Sequence, residues 1–473
     1  MSTATTTSDE RAADLQRFLA DYPEFETTRA LDALRGREFQ RLDRLGQVYL
    51  DYTGGGLYGA SQVREHSELL LGRVLGNPHS TNPTSQATTE LVERCRRRVL
   101  EFFNGSPDEF GVIFTANASQ ALKLVGESYP FQRGDRLLLT FDNHNSVNGI
   151  REFDRAHGAE TQYIPVIPPE MRVQEERLER HLAEARPGGN NLFAYPAQSN
   201  FSGVQHPLEW IDRAQQRGWD VLLDAAAFVP TNRLDLSRWR PDYIALSFYK
   251  MFGYPTGVGA LIARWPALAK LHRPWFAGGT IEVASVQADT HSLAKGSAAF
   301  EDGTLDYANI PAVELGLDFL ERAGMQTIGC RVRCLTGWLL ERLLELRHAN
   351  GRPLVVLYGP TTTEARGGTV TFNLADSQGR LIDHQDVERR ACEHGISLRT
   401  GCFCNPGAGE MALGLSKDEL VTCFSRSERM TYEDFRGCID GKSTGAVRVS
   451  LGPVTNFADL TVLLDFGRRF LEG

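Results

Sequence analysis

The stretch DYIALSFYKMFGYPTG, residues 242–257, decides how the rest of the chain is read. Its apolar run YIALSF has the character of a buried strand, and it delivers one amine, Lys250, into a loop of small and aromatic residues. An amine in that setting is placed for Schiff-base chemistry. Upstream, DVLLDAAAFVP (220–230) ends a second apolar strand at Asp224, with no basic residue beside it in the sequence. A buried carboxylate needs a cationic partner. The pyridinium nitrogen of pyridoxal 5'-phosphate is such a partner, and the aldehyde of the same cofactor is the partner for Lys250, so the two residues together predict that cofactor.

Around this pair the apolar strands GVIFT, RLLLTF, TQYIPV, NLFAYPA, DVLLDAA, YIALSF and GALIAR alternate with segments long enough for crossover helices. That rhythm predicts an α/β protein with a mostly parallel central sheet covered by helices on both faces. A long helical stretch, PAVELGLDFLERAGMQTIGCRVRCLTGWLLERLLELRH, then leads into a smaller α+β domain that includes GGTVTFNLA and GAVRVSLG. The expected division is an N-terminal segment (1–40) packing with the small domain, a large cofactor-binding domain (41–310) and a small C-terminal domain (311–473). Residues 1 to about 10 are expected to lack structure. Leu91, Cys95, Val99 and Phe102 fall on one helical stripe, with the arginines of CRRRVLEF expected on the solvated face.

With 473 residues, 41% of them hydrophobic, the chain can bury a core of two-domain size. Its net charge of -9 argues against a nucleic-acid partner held through phosphates. No apolar stretch approaches the roughly 18 residues of a membrane span. The polar, acidic start MSTATTTSDERAADLQ predicts a cytoplasmic protein. Eight cysteines without the spacing of a disulfide framework are expected to be mostly reduced and buried, Cys330 and Cys334 as core residues one helical turn apart.

In an open parallel sheet, ligands bind beyond the carboxyl ends of the strands. Five positions there and in the small domain carry suitable chemistry. After GVIFT, the run Ala116, Asn117, Ala118, Ser119, Gln120 opens a helix and offers N–H groups and a hydroxyl to a phosphate, although Ser119 would serve equally as a plain cap. His144 in FDNHNS is set to stack on a planar ring or move a proton, or else is a structural loop histidine. Asn200 in QSNFSG is a candidate for a cofactor oxygen or substrate carboxylate, with a simple turn as the competing reading. Arg448 in GAVRVSLG would grip an amino-acid carboxylate unless it faces outward. Cys402 and Cys404 in LRTGCFCNPGAGE lack the further ligands a metal site requires, so a thiolate nucleophile is the better reading and no metal is expected. IDGKST resembles the end of a phosphate loop, but Arg436 stands where the first glycine is needed.

Over residues 40 to 465 the chain resembles the class V, fold-type I pyridoxal phosphate enzymes, and specifically the cysteine desulfurase domain of molybdenum-cofactor sulfurases. The likeness rests on LGNPHS, VIFTANASQALKLV, AQSNFSGV, VLLDAAAFV, SFYKMFGYPTGVGAL, FEDGT, LRTGCFCNPGA and GAVRVSLG. It implies that Lys250 carries the cofactor, Asp224 pairs with the ring nitrogen, His144 stacks on the ring, and Asn200 contacts the cofactor or substrate. It further implies that Ser119 and Ser247 bind the phosphate, that Thr304 does so across a homodimer interface, that Arg448 holds the substrate carboxylate, and that Cys404 forms a persulfide. The implied reaction is release of alanine from L-cysteine with sulfur passed to an acceptor. The alternative is β-elimination from an S-substituted cysteine. Three departures stand out: Gly409 replaces the family's third loop cysteine, Asn117 a phosphate-loop glycine, and Ala227 a glutamine of general desulfurases.

Overall fold

The computed structural model describes residues 8–78, 80–425, 434, 438 and 444–471. Residues 1–7, His79 of LGNPHS, and Arg436 with most of IDGKST lie outside that set. Residues 8–10, expected to lack structure, instead begin a helix, Ser8–Asp21.

Seven strands form the central sheet: β1 (Phe110–Thr115), β2 (Arg136–Thr140), β3 (Glu160–Ile164), β4 (Asn191–Pro196), β5 (Trp219–Asp224), β6 (Tyr243–Ser247) and β7 (Gly259–Arg264). Their spatial order is β1-β7-β6-β5-β4-β2-β3. Only β7 runs antiparallel to its neighbours. These are the strands expected from the apolar runs, and the sheet is mostly parallel as expected. Alternation along each strand splits the core into two layers. Val112 and Phe114 pack with Val99, Leu138, Leu223 and Leu246 on one face, while Ile113 packs with Leu122, Val125, Leu137 and Leu222 on the other. Each such fully buried aliphatic side chain contributes about 1.5–3 kcal/mol over exposure.

Helix α1 (Pro83–Phe102) buries the predicted stripe Leu91, Cys95, Val99 and Phe102. Its arginines are not simply solvated. Arg96 pairs with Glu301 at 2.8 Å, and Arg98 reaches Asp318 and Glu321 at 2.8 and 2.5 Å, tying this helix to later parts of the chain. Helix α2 (Ala118–Ser128) follows β1, and the short α3 (Phe248–Phe252) follows β6. The long helical stretch is two helices, α4 (Ile310–Ala323) and α5 (Met325–Glu345), because Gly324 adopts φ 82° and breaks the ladder between them.

A second sheet holds β8 (Val355–Tyr358), β9 (Thr369–Leu374), β10 (Arg399–Gly401) and β11 (Ala446–Ser450), all antiparallel, in the order β8-β9-β11-β10. Helix α6 (Pro406–Leu413) follows β10. Val48–Tyr49 pairs in parallel with Ile396–Ser397, and Phe18 packs against Trp338 and Phe457, so the chain's beginning lies on its end. Six of the eight cysteines are free, as expected, and Cys402 and Cys404 of the predicted reactive loop are exposed; the departures are the disulfide between Cys423 and Cys438 and the exposed Cys392. Cys334 is a core residue, but Cys330 is only half-buried.

Candidate active site

The register of the central sheet brings the functional side chains to one edge. Asp224 at the end of β5 lies level with Pro196 of β4 and Ala245 of β6. Gly259, opening β7, pairs with Ser247 on one side and Thr115 on the other. Residues following β1, β2, β4, β5 and β6 therefore converge. Ala118, Ser119, His144, Asn200, Asp224, Ser247 and Lys250 all line one cavity of about 200 Å3 at that edge.

Lys250 sits on α3, which ends at Gly253 with φ 79°. A Cβ on Gly253 would lie 2.4 Å from the backbone of Leu57 and Tyr58, and the Gly56 N–H donates to the Tyr249 carbonyl at 3.0 Å, so the 56–58 loop clamps this helix. Among the described residues the Lys250 amine makes no hydrogen bond or ion pair. Burial pushes its pKa below the ordinary lysine value, Asp224 opposes that shift, and Arg448 adds to it. Asp224 is buried, and its Oδ1 accepts the Ala226 N–H at 3.0 Å. Amine and carboxylate thus face the same cavity without pairing.

His144 caps its own short helix: Nδ1 accepts the Ser146 N–H at 3.1 Å, which places the proton of the neutral ring on Nε2. Burial lowers its pKa, with Lys250 and Arg448 adding to the effect and Asp224 opposing it. Ser146 Oγ also meets Ser119 Oγ at 2.6 Å. At the start of α2, the Ala118 N–H donates to Ser247 Oγ at 2.8 Å, and the cap residue Asn117 takes the Gln120 N–H at 3.0 Å. The Gln120 side chain turns back to the Ala116 N–H at 2.6 Å. Gln120 therefore lines a neighbouring cavity with Thr304 rather than the one that holds Lys250. Gly259 has a packing reason to be glycine: a Cβ there would stand 2.6 Å from the Asn117 Cα.

The cysteine loop is laid against this edge from the small sheet. Asn405 is fully buried; its Nδ2 donates to the Asp142 carbonyl at 2.7 Å and to Asn200 Oδ1 at 2.8 Å, and its Oδ1 caps α6 through the Ala408 N–H. Asn200 Nδ2 in turn donates to the Phe403 carbonyl at 2.7 Å, so its amide is committed to the loop and only its cavity face is available to a ligand. Phe403 and Cys404 both have left-handed backbones, φ 56° and 54°. Such conformations cost about 1–3 kcal/mol each and persist where the surroundings hold them. Cys404 lies near enough to Lys250, Arg448 and Arg399 to favour their charged forms.

Arg448 is buried rather than outward-facing. It donates to the Asn200 carbonyl at 2.9 Å and to Asp51 Oδ1 at 3.0 Å, stacks 4.7 Å over Phe403, and keeps a buried Nε without a partner. Burial lowers its pKa while Asp51 opposes the shift. Arg399, opposite it on β10, holds the other oxygen of Asp51 at 2.6 Å. Asp51, Arg399, Asn405, Ser146 and the cavity-lining Gln198 were not singled out by sequence reasoning. Asn405 alone carried a readable signal, an Asn-Pro at a helix start.

These residues fit pyridoxal phosphate. An unpaired amine and a carboxylate with one oxygen free of hydrogen bonds line a single cavity, and the start of α2 brings the Ser119 hydroxyl to the same cavity. Among the described residues, no group of three or more His, Cys, Asp or Glu is arranged to hold a metal, and no helix is long and apolar enough to cross a membrane.

The family described as Aminotransferase class-V matches residues 48–463. The molybdenum cofactor sulfurase of Arabidopsis thaliana is 36% identical over 493 residues, covering 96% of this chain and 60% of that protein, so the chain spans about three-fifths of this relative's length. In fold, the apo cysteine desulfurase of Thermococcus onnurineus NA1 matches with a TM-score of 0.76 at 23% identity, over 93% of this chain and 97% of that one. The C-DES protein with glycine covalently linked to its PLP cofactor matches at 0.69 and 19% identity, over 92% and 99%.

Proposed function

Since this chain belongs to the aminotransferase class-V family, a family of pyridoxal phosphate enzymes, we propose that it is a cysteine desulfurase that cleaves the C–S bond of L-cysteine, leaves the sulfur on Cys404 and releases alanine. The observation that carries this reading is the shared cavity: Lys250 and Asp224 face it unpaired, while the Cys404 loop is fastened to its rim through Asn200 and Asn405.

Pyridoxal phosphate, when bound, supplies an aldehyde for the substrate amine and a ring that takes up an electron pair from the substrate Cα. Asp224 would hold that ring's nitrogen in its protonated form. His144, neutral and protonated on Nε2, would stack on the ring, and Ser119 and Ser247 would hold the phosphate, with the Ala118 N–H fixing the Ser247 hydroxyl. Lys250, with its pKa lowered by burial, is able to act as a neutral amine that takes the Cα proton and returns it. The unpaired Nε of Arg448 would receive a substrate carboxylate oxygen, with Asp51 fixing the guanidinium. The Cys404 thiolate then attacks the substrate sulfur. As the S–S bond forms, the Cβ–S pair stays with Cβ, which is protonated on the way to alanine. Sulfur leaves the site as a Cys404 persulfide for an acceptor. The active unit is proposed to be a homodimer in which Thr304 reaches the other copy's phosphate site.

Incubating the enzyme with cysteine and measuring alanine against pyruvate tests the proposal. Alanine formation that is lost in Cys404→Ala supports it. Pyruvate formed equally well by wild type and Cys404→Ala would make it a β-eliminating lyase.

A further inference from the structure

A second polar pocket, of about 170 Å3, lies where the loops after β4 and β5 meet α5 and the segment leading into β9. Arg366 forms its floor. The residue is 7% exposed, and its side-chain N–H groups reach the carbonyls of Gly367, Pro360, Ser202 and Thr369. All four acceptors are neutral, and among the described residues no carboxylate lies within ion-pair distance of this guanidinium. A guanidinium has five N–H donors, so one remains. Burial pushes the Arg366 pKa down to about 10, as expected of a cation whose charge is not neutralised. Arg333 stands at the rim, half exposed, with Glu24 no nearer than 4.0 Å. The rest of the lining includes the hydroxyls of Thr231 and Thr363 and the amides of Gln205 and Asn232, and it contains no acidic residue.

We infer that this pocket binds a small phosphate-type oxyanion, and that it is joined to the Lys250 cavity through Gln198. Two guanidiniums and the hydroxyls of Thr231 and Thr363, arriving from different directions, suit a tetrahedral anion. Gln198 lines the Lys250 cavity, and its Oε1 accepts from Gln205 at 3.0 Å and from Asn232 at 3.5 Å. Asn232 Nδ2 also donates to Thr231 Oγ1 at 3.1 Å, so an anion that accepts the Thr231 hydroxyl bears through Asn232 and Gln198 on a wall of the reaction site. It also bridges the large-sheet loops to α5. The group is either free phosphate or the phosphate end of a larger molecule.

The test uses the cofactor-loaded enzyme, so that the phosphate position of the Lys250 cavity is already filled, in phosphate-free buffer. Calorimetric titration with inorganic phosphate should show one saturable site. Arg333→Gln should weaken it about tenfold, the worth of one charge-assisted hydrogen bond. Arg366→Met should remove binding. If that variant fails to fold, the double variant Arg333→Gln/Thr363→Val serves in its place, and Arg347→Gln, remote from the pocket, should bind as wild type. A glycerol 3-phosphate titration separates the two sources: comparable affinity marks a phosphomonoester site, and binding of phosphate alone marks a free-ion site. Absence of saturable binding, or binding indifferent to Arg333 and Thr363 but lost in Ser119→Ala, overturns the inference. Cofactor absorbance in the same samples shows independently whether the Lys250 site is intact.

Discussion

Lys250 is kept where an amine is uncomfortable, and that discomfort has a measurable sign. Its folded pKa lies below the ordinary 10.5, so the unfolded chain binds the proton more readily. Stability therefore falls as pH drops below 10.5, and the loss is complete below the folded value. In cofactor-free protein, Lys250→Met should raise the melting temperature by roughly 2–4 °C near neutral pH. Differential scanning calorimetry across pH should show that gain shrinking as pH rises toward 10.5, and a constant gain would mean that packing, not charge, is responsible. Cys404 and Cys402 make a second pair to separate. Cys404→Ser should cut alanine formation from cysteine at least about a hundredfold, as removal of a nucleophile does, while Cys402→Ser should leave most of it. At this scale, what the sequence made legible were residues that end apolar strands: Lys250, Asp224, His144, Ser119, Asn200. Asp51, Arg399 and Ser146 were not, because each acquires its meaning from a partner that is distant in the chain or on another loop.

Elements hold these side chains through a few close approaches. Asn405 makes three hydrogen bonds with its buried amide, one of them the cap of α6. Asn405→Ala should cost about 2–4 kcal/mol from the lost cap and unsatisfied buried groups, read as a shifted denaturant midpoint. Because the same bonds fasten the Cys404 loop to Asn200, alanine production should fall more than cofactor binding does. Gly259→Ala acts on the opposite wall. Its Cβ would meet the Asn117 backbone at 2.6 Å and push the start of α2 away from Ser247. Cofactor affinity, measured by equilibrium dialysis, should drop about tenfold or more, with the amine chemistry of Lys250 retained at saturating cofactor. Strand positions were readable from their apolar runs, whereas the break between α4 and α5 was hidden, since one glycine in an amphipathic stretch does not announce its φ. The ion pairs of α1 were hidden for a different reason: their partners lie more than a hundred residues away.

At the scale of the molecule, Thr304 is out of place in a single chain, as Gln120 is. Thr304 does not line the cavity of Lys250; it accepts from Asn77 Nδ2 at 3.2 Å and lines a separate cavity of about 300 Å3 with Gln120 and Lys123. Both cavities flank the loop from Ala116 to Ser119, one on each side. A Thr304 hydroxyl reaching a cofactor phosphate must then come from a second copy docked over this loop, and cofactor retention becomes linked to association by mass action. Diluting the loaded enzyme should release cofactor at the same protein concentrations at which sedimentation velocity records dissociation into monomers. Thr304→Val should weaken retention about tenfold in the associated form, the value of one hydrogen bond to a charged group, and leave the monomer unchanged. A protein that is monomeric throughout and holds its cofactor independently of dilution would remove Thr304 from the site and leave the phosphate to Ser119, Ser247 and the start of α2.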